Sequence, residues 1–502
     1  MIALFLLLLL GVITYFIVQR VKGVTRTPSW VLWLVAMAPA FIWTGWAIVV
    51  GTNRPMPSQL LVIPFVTCLI LYWLLIQWGR VAPPSTKPAT SSVSQPSTDS
   101  KEPTSAAISP RTLDRAQEKN LQTCFPWSVY YLQAIECRGQ AVICRGQLRS
   151  KPEVAYQTIR RNIEEKFGDR FYVVFQEAPN GKPVFVLLPN PDSHHPDEGG
   201  VIEVAEPQTE KLARPRLAIG LLAITFLTCT LGWLQITQQL NRLVPSLFLQ
   251  GVPYAAALLA ILGVHEMAHY LTAQRYQVRS TLPYFIPVIP LPFFPFGTFG
   301  AFMQIRSPMP HRRALFDVGI AGPLGGFIVA LPLLFWGLTQ SQLVPLPPRP
   351  DLFNLQALDP SFSLLLTLLS KLALGSRLTA DQALKLHPVA VAGCLGLVVT
   401  ALNLMPVGQL DGGHIVHAMF GQRIGTVIGQ VARFLLLGFA LVQSHLMAWA
   451  IFLFLISASD EPALNDITEL DDRRDFLGLL ALGLLLLIVL PTPAFIGGWL
   501  NV

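Results

Sequence analysis

The chain has 502 residues, 52% of them hydrophobic and only 13% charged, with a mean hydropathy of +0.51. Soluble globular proteins carry nearer ~25% charged residues, so most of this chain is expected in lipid. The formal charge of +7 does not point to nucleic acid: Val81 to Arg216 holds 17 Lys/Arg against 16 Asp/Glu, and no nucleic-acid-binding module is evident.

Apolar stretches long enough to cross a bilayer as helices are expected near 1–19, 30–50, 59–79, 216–236, 252–273, 314–338, 388–406, 424–443, 445–458 and 476–498. The pair within 427–457 also reads as one long, broken helix. The predicted fold class is therefore an all-α polytopic membrane protein of about nine or ten transmembrane helices, with a re-entrant loop and a small cytoplasmic α+β domain. Four regions follow: a three-helix anchor (1–80), a Pro/Ser-rich linker (81–120), the α+β domain (121–205) and a catalytic membrane core (206–502). Met1–Val18 lacks a basic n-region and an A-x-A site, so it reads as a retained anchor rather than a signal peptide. The lack of an Arg/Ser-rich transit peptide suggests a bacterial membrane.

The excess positive charge flanks the spans. Arg20, Lys22 and Arg26 follow the first, Arg275 and Arg279 the fifth, and Arg306, Arg312 and Arg313 precede the sixth. Placing all of them in the cytoplasm puts both termini outside and 81–215 inside. A reducing cytoplasm would leave Cys124, Cys137 and Cys144 without a disulfide.

Within 121–205, Ser150 and Glu153 suggest a capping box ahead of a helix over 152–167, with Ala155, Ile159, Ile163 and Phe167 on one apolar face. FYVVFQEA and KPVFVLL flank a Pro-Asn-Gly turn and predict a β-hairpin. The C-x6-C spacing of Cys137 and Cys144 is poor for zinc, and His194-His195 reads as a solvated loop. Further on, PYFIPVIPLPFFPFGTFGAFMQ (283–304) is apolar, yet five prolines forbid a regular helix. At membrane depth such backbone must be buried in protein or line a wet cavity. The prediction is a re-entrant hairpin with a proline-free edge around 297–305.

His265-Glu266-Met267-Ala268-His269 is an H-E-x-x-H pattern inside the fifth span. Positions i and i+4 share a helix face, so both imidazoles can reach one Zn²⁺, and Glu266 can take a proton from a water on it. With nine His in the chain, a chance match is expected in fewer than about one such chain in a hundred. Two histidines leave the metal one protein ligand short, and residues 280–310 contain no acid. The candidates are Asp317 and Asp411. Pro406, Gly408 and Gly412-Gly413 break the helix around Asp411 and let it turn inward, whereas Asp317 opens a regular span and suits a pair with Arg312 or Arg313. His414, beside the Asp-Gly-Gly, reads as a local orienting or packing group.

H-E-x-x-H in one span, Asn403-Leu404-Met405-Pro406-Val407-Gly408-Gln409-Leu410-Asp411-Gly412 in a later one and Ala321-Gly322-Pro323-Leu324-Gly325-Gly326 between them resemble the site-2 proteases, intramembrane zinc enzymes. The resemblance covers roughly 206–500. It implies that His265, His269 and Asp411 bind one Zn²⁺, that Glu266 is the general base, and that Asn403 binds substrate or stabilises the oxyanion. It also implies transmembrane protein substrates, cut within or beside their spans. Arg145-Gly146-Gln147-Leu148-Arg149 ahead of a helix ending Lys166-Phe167-Gly168-Asp169 is similar to the EGY-type members of chloroplasts and cyanobacteria, which carry G-N-L-R at the first motif. A cyanobacterial cell or thylakoid membrane fits that likeness. The competing readings are a metal-ion transporter and an inactive scaffold. No repeated ligand set supports the transporter, and an inert relative has no need of Glu266.

Overall fold

A computed structural model describes residues 27–50, 115–178, 180–191, 214–239, 245–291, 294–347, 355–443, 446–457 and 459–501, with isolated residues before 76. The expected spans 1–19 and 59–79, most of the linker, and His194-His195 lie outside these residues. The chain divides into two compact units, 1–107 with 441–444, and 108–440 with 445–502. In the first, α1 (Ser29–Val50) is a 22-residue apolar helix containing Pro39.

The second unit opens on a small α+β module. Helix α2 (Arg115–Thr123) leads into β1 (Tyr130–Arg138), β2 (Ala141–Leu148), α3 (Pro152–Phe167), β3 (Phe171–Glu177) and β4 (Pro183–Pro189). The strands form one antiparallel sheet in the order β1-β2-β4-β3. The predicted hairpin is β3–β4, and the predicted helix is α3 with Ala155, Ile159 and Ile163 buried on its inner face. The capping box is not formed: Lys151 is the N-cap, without a side-chain bond, and the Ser150 hydroxyl instead turns to the Val129 carbonyl. Strands β1 and β2 complete the sheet and bring Tyr130 into its core, edge-on to Phe185, which stacks on Phe175 at 4.2 Å between centroids. Gly146 makes this possible, since a Cβ there would stand 2.2 Å from the Tyr131 carbonyl and 2.6 Å from the Tyr130 ring. The following Arg149 lies over Trp127 and Tyr131. All six cysteines are unpaired by disulfides.

The membrane part follows. Helices α4 (Pro215–Ile236), α5 (Pro245–Arg275) and α6 (Arg312–Thr339) have 22, 31 and 28 residues. Between α5 and α6 lie β5 (Tyr284–Pro287) and β6 (Thr298–Phe302), an antiparallel hairpin with a register irregularity at Phe285/Pro287. Next come β7 (Gln342–Pro345), α7 (Leu364–Leu374), β8 (Gln382–Lys385), α8 (Pro388–Leu404), α9 (Asp411–Phe420), α10 (Gln422–Val442), α11 (Met447–Leu455), α12 (Asp472–Val489) and α13 (Ala494–Leu500). Among the described residues the chain is mostly helical, with three small sheets, two of them containing the expected hairpins.

Five helices among the described residues are long and apolar enough to cross a membrane, or six if α12 and α13, bent by 76°, form one span. That is fewer than the expected nine or ten. Two expected spans are outside the described residues, α8 has only 17 residues, and α11 has nine. At 1.5 Å per residue α11 is ~14 Å long, under half the hydrocarbon thickness.

The module is attached to the helices by main-chain bonds through a strap at 463–468. Phe175 of β3 donates to the Leu464 carbonyl (2.7 Å), and Asp466 donates back to Phe175 (2.8 Å). The strap's other side takes Leu464 to the Met309 carbonyl (2.8 Å) and Asn465 to Pro310 (3.1 Å), immediately before α6. Leu464 and Ile467 pack on the module's core. The same backbone segment leads on into α12.

Gly146→Ala should destabilise the module by ~1–3 kcal/mol, because neither the Tyr131 backbone nor the buried Tyr130 ring can move aside freely. Thermal unfolding of the full chain in detergent, with protease sensitivity of 120–190 as readout, checks this.

Candidate active site

The site is built on α5. Its apolar sequence buries it among α4, α6 and α8, and the i, i+4 spacing puts His265 and His269 on one buried face, 3% and 7% exposed. The third group comes from the far end of α8. Here the helix stops at Leu404, Gly408 takes φ +53°, and Asp411 starts α9. Gly412 and Gly413 are needed for this fold-back, since a Cβ on either would stand about 2 Å from a carbonyl, that of Leu404 or Gly408.

Three ligand atoms converge. His269 Nε2 lies 3.3 Å from His265 Nε2, and Asp411 Oδ2 lies 3.3 Å from His269 Nε2 and 3.5 Å from His265 Nε2. Ligands ~2.0–2.1 Å from one tetrahedral ion stand ~3.3–3.4 Å apart. The triangle therefore has the size of one face of a tetrahedral zinc site, and His/His/carboxylate is a donor set that suits zinc. Among the described residues this is the one such group of three His, Cys, Asp or Glu. His269 Nδ1 donates to the Val318 carbonyl at 2.7 Å, which leaves Nε2 its lone pair.

Helix α6 makes room for these rings with glycines at i, i+3 and i+7. A Cβ on Gly322 would fall 2.0 Å from His269 Nε2, one on Gly326 3.1 Å from His265 Nδ1, and one on Gly319 3.1 Å from His414 Cβ. The Gly-rich run of α6 is therefore a seat for the imidazoles. Asp317, on the same helix, is engaged elsewhere: Arg474 of α12 grips it bidentately at 2.7 Å and Tyr276 donates to it. Its partner is Arg474, not the expected Arg312 or Arg313. Arg312 is buried and donates to the Ala418 carbonyl.

A cavity of about 210 Å³ opens beside the triangle and is lined by His265, His269, Asp411, Glu266, Asn403 and His414, among others. The Glu266 carboxylate faces the Met303 amide, and Asn403 Nδ2 is 3.1 Å from His265 Nε2. Phe302, Met303 and Ile305, at the end of β6, form another wall. The hairpin tip is held by α4, where a Cβ on Gly232 would stand 2.6 Å from the Pro295 carbonyl. Tyr254 of α5 donates to Phe296 at 3.0 Å.

One set of residues escaped the sequence reading. Asp460, on the loop after α11, accepts from His414 Nδ1 (2.8 Å) and His417 Nδ1 (2.7 Å), while His417 Nε2 donates to Asp466 (2.9 Å). Burial works against the charged ring of His417, yet bonds to the two carboxylates raise its pKa to about 9. Burial likewise pushes the Asp460 carboxyl up, but the two imidazoles outweigh it and hold the group below the usual carboxylate range. The i, i+3 spacing of His414 and His417 was visible; the acids lie more than 40 residues away.

With this geometry in view, the likeness to known proteins is specific. Residues 253–442 match Peptidase family M50, and residues 119–196 match the EGY3 middle domain. The chain is 30% identical over 418 residues to the probable zinc metalloprotease EGY1, chloroplastic, of Arabidopsis thaliana, covering 76% of this chain and 73% of that protein. The chain belongs to peptidase family M50. It is also 30% identical to the probable zinc metalloprotease EGY2, chloroplastic, of Oryza sativa subsp. indica (74% of this chain, 65% of the relative), and 27% identical to EGY3 of the same plant (74% and 63%). The chain thus spans slightly under two thirds of these two rice relatives. No solved structure matches. The M50 region contains the whole triangle, Glu266, Asn403 and the Gly-rich run of α6.

Gly322→Ala should lower the M50 site's metal affinity by ~10–100-fold by displacing His269. Metal titration of the purified protein checks this, with Gly220→Ala, where a Cβ meets nothing within 4 Å, expected to behave as wild type.

Proposed function

We propose that this M50 protein is an intramembrane zinc endopeptidase that hydrolyses transmembrane proteins within or beside their spans. The observation that carries the reading is the 3.3–3.5 Å triangle of His265, His269 and Asp411 with Glu266 in the adjoining cavity. His265, His269 and Asp411 would hold one zinc ion per chain. Bound there, zinc supplies Lewis-acid polarisation of the peptide carbonyl and a water whose pKa falls to ~7. Glu266 takes a proton from the attacking water and passes it to the departing peptide nitrogen. Asn403 binds the substrate backbone at the cavity wall, where its amide can donate to a carbonyl oxygen. The apolar helices around the cavity limit the supply of bulk water, which strengthens each of these polar contacts.

The hairpin β5–β6 fits the need to hold an unwound substrate. Among the described residues its sheet has two strands, and β6 runs directly into the cavity wall at Phe302 and Met303. A substrate strand adding to β6 would bring its scissile bond toward Glu266. The basic flanks favour a cytoplasmic position for this end of the helices and for the α+β module joined to it by the strap.

Glu266→Gln should lower cleavage of a model transmembrane peptide by ~10²–10⁴-fold while zinc content stays at about one per chain. Asp411→Ala should lose both; full zinc in that variant would move the ligand role elsewhere. Phe299→Pro removes one β6 backbone donor without touching the metal-binding groups. It should slow cleavage by up to ~10-fold, the worth of one hydrogen bond. An unchanged rate with the hairpin still folded would contradict strand addition.

A further inference from the structure

His414 lies three residues beyond Asp411, on the first turn of α9, and lines the same cavity as Glu266 and the triangle. Its ring is fixed from behind. Nδ1 bonds Asp460 at 2.8 Å, and Gly319 lets its Cβ close onto α6. Nε2 has no hydrogen-bond partner among the described residues, and the side chain stays 22% exposed within an otherwise buried cluster. Imidazole nitrogens point away from one another, so a ring pinned through Nδ1 turns its Nε2 side away from Asp460.

Asp460 is itself over-determined. It is 7% exposed, shared with His417, and sits on the loop leading to the strap whose Asp466 bonds the other nitrogen of His417. A purely structural histidine in a buried network is expected to have both nitrogens satisfied, as His417 has. His414 has one nitrogen satisfied by a buried carboxylate and the other free beside a peptidase cavity. A base or acid oriented by a third group is the arrangement that catalysis uses.

We propose that His414 is a further catalytic residue, its Nε2–H donating to the oxyanion that forms as the scissile carbonyl becomes tetrahedral, with Asp460 as its positioning residue. The inference rests on the peptidase reading above. Nδ1 stays bonded to Asp460 while Nε2–H meets the substrate oxygen, and no bond to a His414 heavy atom is made or broken. Asn403 and His414 line the same cavity, so the substrate would meet two donors from different helices, α8 and α9. A donor aimed at developing charge acts on kcat rather than on ground-state binding.

The test uses the full chain in detergent with a model transmembrane peptide, and in parallel the binding of a phosphinic peptide, whose oxygens imitate the tetrahedral state. Wild-type cleavage and its loss in Glu266→Gln establish the peptidase reading independently. Within that assay His414→Ala should lower kcat by ~10²–10³-fold at unchanged KM and unchanged zinc content. Phosphinic peptide affinity should fall with it, while affinity for the uncleaved peptide, measured on the Glu266→Gln background, should not. His414→Gln, which keeps an N–H donor, should recover at least tenfold over Ala, and Asp460→Asn should fall between wild type and His414→Ala. The proposal is overturned if His414→Ala keeps kcat within threefold, or if its lost activity is matched by lost zinc. Unchanged phosphinic peptide affinity would overturn it as well.

Discussion

An ionisable side chain at the centre of a membrane helix costs ~2.5–3.5 kcal/mol on insertion scales, and α5 carries three of them in five positions. The arrangement around them follows from the need to give these groups a common partner. The two imidazoles of α5 close to 3.3 Å, and Asp411 completes the triangle from a helix nearly 150 residues away in sequence. That closure sets the demands on every neighbour. Helix α6 must present glycine where the rings lie, since any side chain at Gly322 would occupy the position of His269 Nε2. Helix α8 must stop short, and the chain must fold back through Gly408 to Gly413, for a carboxylate to reach the rings at all. A regular helix through 405–411 would carry Asp411 ~10 Å beyond Leu404 along the axis.

The same constraint explains why the polar chemistry is layered. Lining the cavity are the triangle, Glu266 and Asn403. A second tier of charged groups is made of Asp460, His417 and Asp466 in one cluster and Asp317 with Arg474 in another. Each acid in that tier is held by a cation or an imidazole, as burial requires. The tier also has a mechanical connection, because Asp466 belongs to the strap whose backbone pairs with β3 of the module. A continuous run of hydrogen bonds thus links β3 through Asp466, His417 and Asp460 to His414.

Much of this was legible in the sequence where the signal was local. H-E-x-x-H declares its geometry through helical periodicity alone, and α3 and β3–β4 follow from amphipathic spacing and an Asn-Gly turn. The helix breakers around 406–413 correctly favoured an inward-turning Asp411. What was not legible depended on distant pairing. In β1 a register shift at Leu132/Ala134 breaks the alternation, and in β2 the inward positions are Val142, Cys144 and Gly146, the last with no side chain to signal burial because Tyr130 fills its space. Ser150 had a capping sequence, but the Val129 carbonyl offered its hydroxyl a tertiary partner. Hydropathy alone does not distinguish a 9-residue apolar helix such as α11, with its apolar flanks, from a crossing one. Asp460 and Asp466 are ordinary loop acids until the fold brings them to His417.

The central claim is that His265, His269 and Asp411 hold one zinc ion in a tetrahedral site with one open position. X-ray absorption at the zinc edge, on protein purified without added metal, tests it most directly. The account predicts a four-coordinate zinc with two imidazole nitrogens and oxygen at ~2.0–2.2 Å, and no sulfur. Sulfur scattering near ~2.3 Å, which would transfer the metal to the cysteines, or an oxygen-only first shell would contradict it.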